Sequence, residues 1–533
     1  MGAHLPTTLA GWARGARLYQ GLGTFHRRIN TRSPLAQRYF DQGMRLLWAF
    51  NHDESTRSFA RALELDPQCA MCAWGVALTV GPNYNLPMLA QQRAQVAFEA
   101  SRRAQSLAHG ASAVDQALIK ALARRYPDAQ ALDPTTVIPV LTDYAAAMAE
   151  VAQRFPADLD VDTLYAEALM NVRAWKLWEP DGQPAPGTGQ ILATLESVLA
   201  RAPQHMGALH YYVHAIEASP HPDKGVFAAE RLRGLAPAAG HLEHMPAHIK
   251  QLVGRYEEAA EANRKGAAAD LAYMAKTTPP DYYSMYTGHN YQFLAYSAAA
   301  EGRDAETFDA VRRSRASVSD ELLREMPGTD WYVAQLYLAP VRFGHWDELL
   351  AAKAPDASLP GLTGGYLYAT AVALAAKQRS AEARERLAQL DQFIAGLPAD
   401  QPAGLNMLRD VLAVGSKVAA ARIASAAGHP DDALRLLAEA VKLEDALAYN
   451  EPADWFFPVR HLLGAALLGA GKAADAEQVY REDLQRHPAN GWSLRGLAQA
   501  LETEGRGDEA RAVELEFRKA WQHATIAINA SAF

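Results

Sequence analysis

Alternating runs of Val, Ile and Thr, the signature of a half-buried strand, are missing from this chain, and no Asn-Gly or Asp-Gly turn punctuates an apolar alternation. Apolar positions fall instead into Ala-rich amphipathic blocks cut by short turns, which predicts helix after helix. One turn element recurs: a Gly, two further residues, then an acidic and Ala-containing helix start. It stands at Gly254 (GRYEEA), Gly302 (GRDAET), Gly344 (GHWDEL), Gly428 (GHPDDA), Gly471 (GKAADA) and Gly505 (GRGDEA). The step from Gly471 to Gly505 is 34 residues, and the longer intervals elsewhere imply extended helices or inserted loops. Gly relieves the tight turn between two helices, and the acidic side chains that follow sit at the positive end of the next helix dipole.

The segment Phe50 to Leu78 (FNHDESTRSFARALELDPQCAMCAWGVAL) follows the same grammar, with a helix stop at Leu65 to Pro67. Tyr480 to Ala510 repeats it, with Pro488 as the stop and Trp492, Leu494 and Leu497 on the helix that follows. Both segments resemble tetratricopeptide (TPR) repeats, and in diluted form the resemblance covers most of the chain. It implies an all-α, TPR-like α-solenoid, a superhelix of helical hairpins with inserted ordered loops. Two stretches break the repeat, GPNYNLPM (81–88) and WKLWEPDGQPAPGTGQ (175–190), and their Pro, Gly and aromatic residues predict ordered loops, the second lid-like. The expected organisation is N-terminal repeats over 1–200, a His-rich central segment over 201–300 and C-terminal repeats over 301–533.

Composition narrows the classes. With 533 residues, 49% hydrophobic and 21% charged, the chain can bury a large core, and disorder as the main state is excluded. Lys plus Arg is 52 against 60 for Asp plus Glu, a formal charge of -8 with no basic block, so neither nucleic acid nor an anionic membrane is the expected partner. No apolar stretch approaches the roughly 20 residues of a membrane span, and the start lacks a signal-peptide pattern, so a cytoplasmic protein is expected. Its Ala-rich composition suggests a bacterial source. Two cysteines exclude a disulfide scaffold. Cys69 and Cys72 form a Cys-x-x-Cys at a helix start, read as small buried residues rather than a redox or metal pair. Phosphate-loop, dinucleotide-loop and nucleophile-elbow motifs are missing.

Histidine is where chemistry concentrates. Of 17 histidines, seven lie between residues 205 and 248. HYYVHAIE puts His210, His214 and Glu217 at i, i+4 and i+7 on one helix face, and HLEHMPAHI puts His241, His244 and His248 at i, i+3 and i+7. Pro246 interrupts the second set, so the helix is expected to begin near Met245 with His241 and His244 on the preceding loop. Neutral imidazole with a carboxylate suits zinc, iron or copper, and the six residues form the candidate metal site. Taken singly, such histidines more often cap helices or satisfy buried polar groups; their clustering is what favours a site.

Other candidates occupy equivalent positions. His52, Glu54 and His289 are the candidate acid and base groups, and Asn51, Trp178, Tyr283 and Asn290 the candidate substrate contacts, although Asn51 and Asp53 also read as helix caps. Tyr282, Tyr283, Tyr286 and Tyr291 either pack between repeats or wall a pocket. Glu167 and Asn171, at i and i+4 on an apolar helix, form a buried polar pair that needs a partner. NEPADWFFPVRH (450–461) reads as a structural tie between repeats.

The ordered set AFNHDE, LDPQCAMCAWGVAL, GPNYN, LYAEALMN, HYYVHAIEASPHP and AGHLEHMPAHI resembles a group of bacterial TPR proteins, and the His segments are its most specific part. The chain departs from that group at Ala247 and Gly288, which leaves the candidate ligands intact. What the resemblance implies is a site built into the solenoid. The expectation from sequence is therefore a metal-dependent enzyme acting on a small molecule, an oxidoreductase rather than a hydrolase. The alternative is a TPR scaffold that binds a peptide or protein in its groove, with structural histidines. Non-equivalent His, Tyr, Trp and Asn patterns on the first helices weigh against that alternative, and a lid-like loop weighs against a metal-storage role.

Overall fold

The computed structural model describes residues 5–279 and 281–533. Among them, helix dominates and the strands are confined to the two-residue pair Pro402–Ala403 and Asn406–Met407. The protein is all-α with TPR-like helical repeats, as the missing β-alternation predicts. Contacts divide the chain into two compact units: unit 1 comprises 1–249 and 268–280, unit 2 comprises 250–267 and 281–533. No helix among the described residues is long and apolar enough to cross a membrane.

Unit 1 contains α1 (Leu9–Ala13), α2 (Pro34–Trp48), α3 (His52–Leu65), α4 (Ala70–Val80), α5 (Gln91–Leu107), α6 (Ala113–Leu122), α7 (Val137–Arg154), α8 (Leu159–Val172), α9 (Thr188–Arg201), α10 (Met206–Ile216), α11 (Val226–Leu232) and α12 (Gly240–His244). By the chain's course, α13 (Pro246–Leu252) and α14 (Tyr256–Met274) belong partly to each unit. Unit 2 continues with α15 (Ser284–Ala300), α16 (Asp304–Ser317), α17 (Asp320–Glu325), α18 (Gln335–Phe343), α19 (Trp346–Ala351), α20 (Pro360–Ala376) and α21 (Ser380–Gly396). It ends with α22 (Leu408–Ala426), α23 (Pro430–Asp445), α24 (Val459–Gly469), α25 (Ala473–Arg486), α26 (Gly491–Thr503) and α27 (Gly507–Ala520). Successive helices pack as neighbours, α2 on α3 and α3 on α4 in unit 1, α24 on α25 and α25 on α26 in unit 2.

The repeat grammar has a common packing device. Phe59 of α3 fills the space left by Gly43 on α2 and Gly75 on α4, where a Cβ would meet its ring at 2.6 and 2.4 Å. Tyr480 of α25 does the same between Gly464 on α24 and Gly496 on α26, at 2.3 and 2.1 Å. One aromatic side chain thus locks three successive helices only because both flanks lack a Cβ. The six turn glycines picked out from the sequence all have positive φ, from 68° at Gly302 to 80° at Gly428, the left-handed conformation that glycine adopts without steric cost. α3 stops at Leu65 before Asp66-Pro67, and α25 stops at Arg486 before Pro488.

Both loops are ordered and tied down. Buried Arg125 donates to the carbonyl of Pro82, and the Tyr126 hydroxyl donates to Ala77 O at 2.7 Å, holding the 81–88 loop. The 175–190 loop folds back through a Trp178–Pro184 bridge, and Trp178 Nε1 donates to Ala215 O on α10 at 2.8 Å. Asn171 donates to Glu167 as its spacing suggested, and the charge of the Arg125 guanidinium opposes the rise that burial imposes on the Glu167 carboxyl. In 450–461, Arg460 makes a bidentate pair with Asp445 at 2.7 and 2.8 Å, and His461 meets Asp483 at 3.0 Å, a structural tie between α23, α24 and α25. Cys69 and Cys72 are buried, as read from the sequence, but they are joined to each other in a disulfide at the N-cap of α4.

Candidate functional site

Proline decides how the His-rich face is built. Pro246 takes the first position of α13, where a missing N–H costs nothing, so the chain makes a short helix, α12, and then restarts. His241 and His244 therefore project from α12 rather than from the loop expected, while His248 comes from α13. His210 and His214 project from α10, with Glu217 just beyond its end. All six predicted ligands lie in unit 1 and none is more than 8% exposed.

Their ring nitrogens are paired in a definite order. His210 Nδ1 meets the Trp48 carbonyl at 2.6 Å, and a carbonyl accepts only, so Nδ1 carries the proton and Nε2 the lone pair. His214 Nδ1 and His248 Nδ1 meet the two oxygens of Glu217 at 2.9 and 2.6 Å, which assigns their protons in the same way. The Nε2 atoms then face other histidines: His210 Nε2 lies 3.1 Å from His241 Nε2, and His248 Nε2 lies 2.6 Å from His244 Nε2. Burial, reinforced by neighbouring imidazoles, pushes the His210 and His241 pKa values well below the usual histidine range and keeps both rings neutral.

Aromatic rings close the cluster. Phe50 stacks on His214 at 5.5 Å and 11° and on His241 at 5.3 Å and 19°, and Tyr84 and Trp175 lie 5.4 and 5.6 Å from His214. Phe50 and Trp175 both hold left-handed backbones, φ 54° and 62°, a strained state for bulky residues. The candidate residues read from the sequence did not include Phe50, Tyr84 or Trp175; the available signal was the position of Phe50 directly before Asn51-His52.

Asn51 caps α3, its side chain accepting from Glu54 N at 3.3 Å. His52 is stacked on Phe50, burial drives its pKa down to about 3, and neither ring nitrogen has a hydrogen-bond partner among the described residues. Trp178 is half-buried and committed to Ala215 O. His289, Asn290 and Tyr283 belong to unit 2, on or just before α15, with Tyr283 and Asn290 buried.

Glu54 faces a different feature, a cleft of 440 Å³ in unit 1 lined by Arg17, Tyr19, Glu54, Arg57, Tyr273 and Lys276 among others. None of the six clustered residues lines it. Tyr273 donates to Glu54 Oε2 at 3.0 Å and Arg57 Nε donates to the same oxygen at 3.3 Å. Burial raises the Glu54 pKa in spite of these donors. The wall at 17–19 is fixed by one buried amide: Gln42 accepts from Tyr19 N at 2.7 Å and donates to Arg17 O at 2.8 Å. Tyr19 and Tyr273 approach at 5.9 Å between ring centres.

No protein-family model matches the chain, and no curated protein sequence matches it either. Among solved structures it is similar to a human IFIT1 dimer with m7Gppp-AAAA, at 11% identity and TM-score 0.32 over 92% of this chain and 91% of that one. It is also similar to the APC/C hetero-tetramer Cut9-Hcn1, at 12% identity and TM-score 0.33 over 91% and 76%, and to yeast Tom70, at 11% identity and TM-score 0.30 over 92% of each chain.

The expectation of a metal-dependent enzyme acting on a small molecule, with oxidoreductase favoured, is corrected at this point. The similar structures are titled for m7Gppp-AAAA or for protein assemblies, and at this identity they speak to the helical fold alone. Geometry supplies a physical reason: Glu54 lines the cleft while His52 is buried against Phe50, so the two catalytic candidates of unit 1 do not converge on a common space.

Proposed function

We infer that the chain is a TPR-type scaffold that binds a peptide or a segment of a protein, and that the unit-1 cleft receives an acidic stretch of it. The observation that carries this reading is the charge and shape of the cleft. Arg17 and Lys276 are exposed on its walls and Arg57 is half-buried, whereas the one carboxylate there, Glu54, already accepts from Arg57 and Tyr273. The balance toward a ligand is positive, and cation clusters of this kind attract and orient carboxylates. Tyr19 and Tyr273 add ring surface for apolar side chains beside those carboxylates. The 17–19 wall is held in place before any ligand arrives, which limits the ordering cost of binding.

Fluorescence anisotropy with labelled octapeptides of acidic, neutral and basic composition tests the reading. Wild type is expected to bind the acidic peptide best, with affinity falling as salt rises. The double change Arg17→Glu with Lys276→Glu is expected to weaken that binding at least about 10-fold while leaving helical content unchanged, as a reversal of two contacting charges implies. Equal binding of all three peptides, or no effect of the charge reversal, contradicts the assignment.

A further inference from the structure

We propose that His210, His214 and His241 form a binding site for one divalent transition-metal ion of the zinc and copper class in unit 1, with Glu217 as the carboxylate that orients His214. The proposal goes beyond the scaffold reading and assigns no reaction to the ion.

Geometry comes first. One nitrogen from each of the three histidines lies within 4.8 Å of the others, and His210 Nε2 is already 3.1 Å from His241 Nε2. A tetrahedral ion with metal–nitrogen bonds of about 2.0–2.1 Å separates its nitrogens by about 3.3 Å, so this edge of the triangle needs almost no adjustment.

Proton placement is the second argument. Ligating histidines donate their other ring N–H to a carbonyl or carboxylate, which fixes the tautomer and aims a lone pair at the ion. His210 does this through Trp48 O and His214 through Glu217 Oε1. Glu217 is thereby assigned to the outer sphere rather than to the ligand set, since its second oxygen is taken by His248 Nδ1. It places one negative charge beside three rings and a dication. Three imidazoles without a thiolate favour zinc, copper, nickel or cobalt over magnesium or calcium.

The surroundings make the third. A hydrogen-bonded histidine core needs no strained backbone to support it, yet the only two aromatic residues among the described positive-φ, non-Gly positions, Phe50 and Trp175, both pack on His214. They wall the triad with apolar rings and restrict water, as in sites that hold an ion tightly.

The test uses full-length protein without a metal-binding tag, stripped with chelator, then given zinc, copper(II) or cobalt(II) salt singly and desalted. Plasma mass spectrometry is expected to find about one ion per chain for at least one of the three. His210→Ala and His241→Ala are each expected to lose at least nine-tenths of it while remaining folded by circular dichroism. Glu217→Gln is expected to keep the site but weaken it about 10–100-fold, the usual effect of removing an outer-sphere partner. Wild type that retains none of the three metals, or folded His variants that retain as much as wild type, overturns the proposal. Where a variant fails to fold, nitrogen-15 spectra of histidine-labelled wild type decide: the metal that wild type retains must shift or broaden the ring nitrogens of these three histidines, and an effect confined to other histidines overturns the assignment.

Discussion

Replacing Glu217 with Gln probes the arrangement on which the histidine cluster depends, with no metal added. The Glu217 side chain is 2% exposed and receives two ring N–H donors, from His214 at 2.9 Å and His248 at 2.6 Å. A glutamine of the same shape offers one oxygen and one NH2, so one imidazole must face a donor and change tautomer. Hydrogen bonds to a charged group contribute about 1.5–3 kcal/mol each; one is lost and the other weakened, which sums to about 3 kcal/mol. For a unit of this size, that corresponds to a fall of about 6–12 °C in the midpoint of its thermal transition, read in urea as a lower unfolding free energy. The assay is urea unfolding followed by hydrogen exchange at α10, so that unit 1 is read separately from unit 2, with nitrogen-15 spectra reporting the tautomers. A variant as stable as wild type, with His214 and His248 both still protonated at Nδ1, refutes the reasoning.

Further changes follow from the same reading. Asp483 is buried and accepts from His461 at 3.0 Å, His487 at 2.9 Å and Ser493 at 2.6 Å, so Asp483→Asn is expected to destabilise unit 2 by about 3–5 kcal/mol in urea titration. Burial, working against the pull of Asp483, holds the His461 pKa down to about 4 while the unfolded chain protonates near 6.5. Between those values His461 binds more protons in the unfolded state and so contributes a loss of up to about 3 kcal/mol on acidification, against which Glu444, raised by burial to about 7, acts in the opposite direction; the difference between wild type and His461→Gln across that window is expected to isolate the His461 contribution. Gly496→Ala drives a Cβ to 2.1 Å from the buried Tyr480 ring and is expected to cost about 1–3 kcal/mol, whereas Gly469→Ala, with nothing within 4 Å, is expected to be neutral or slightly stabilising, both read by urea titration. Arg27 is 9% exposed and bridges Asp158 and Asp160 at 2.9 Å each, so Arg27→Ala leaves partly buried carboxylates facing one another and is expected to lower unit-1 stability by about 3 kcal/mol, measured by the urea midpoint.

Local rules carried the fold. Gly471 and Gly505, Leu65-Asp66-Pro67 and Pro488 act within one turn of their own position, so their effect on helix boundaries is written in the neighbouring residues. The i, i+4 spacing of His210 and His214 was legible for the same reason. Pro246 was read correctly as an interruption, but two helical outcomes meet that constraint, and the chain takes the one in which α12 forms before the proline. What closes the cluster was not legible: His210 finds Trp48 O across 162 positions of sequence, and no local pattern encodes that. The cleft was hidden further, because Tyr273 meets Glu54 across 219 positions. Glu54 reads from the sequence as an acid or base group, and its real neighbours, Arg57 apart, come from chain segments that no repeat pattern connects to it. The same distance explains the functional misreading: His52 and Glu54 sit two residues apart at the start of α3, yet one points into the core against Phe50 and the other into the cleft.

The most direct measurement of the scaffold reading is hydrogen exchange of the full chain with and without an acidic octapeptide, resolved by mass spectrometry to short segments. The account predicts slowed exchange at 14–20 and 273–279, the two walls of the cleft, and little change elsewhere in unit 1. Protection confined to other segments, or none at peptide concentrations that saturate anisotropy, contradicts it.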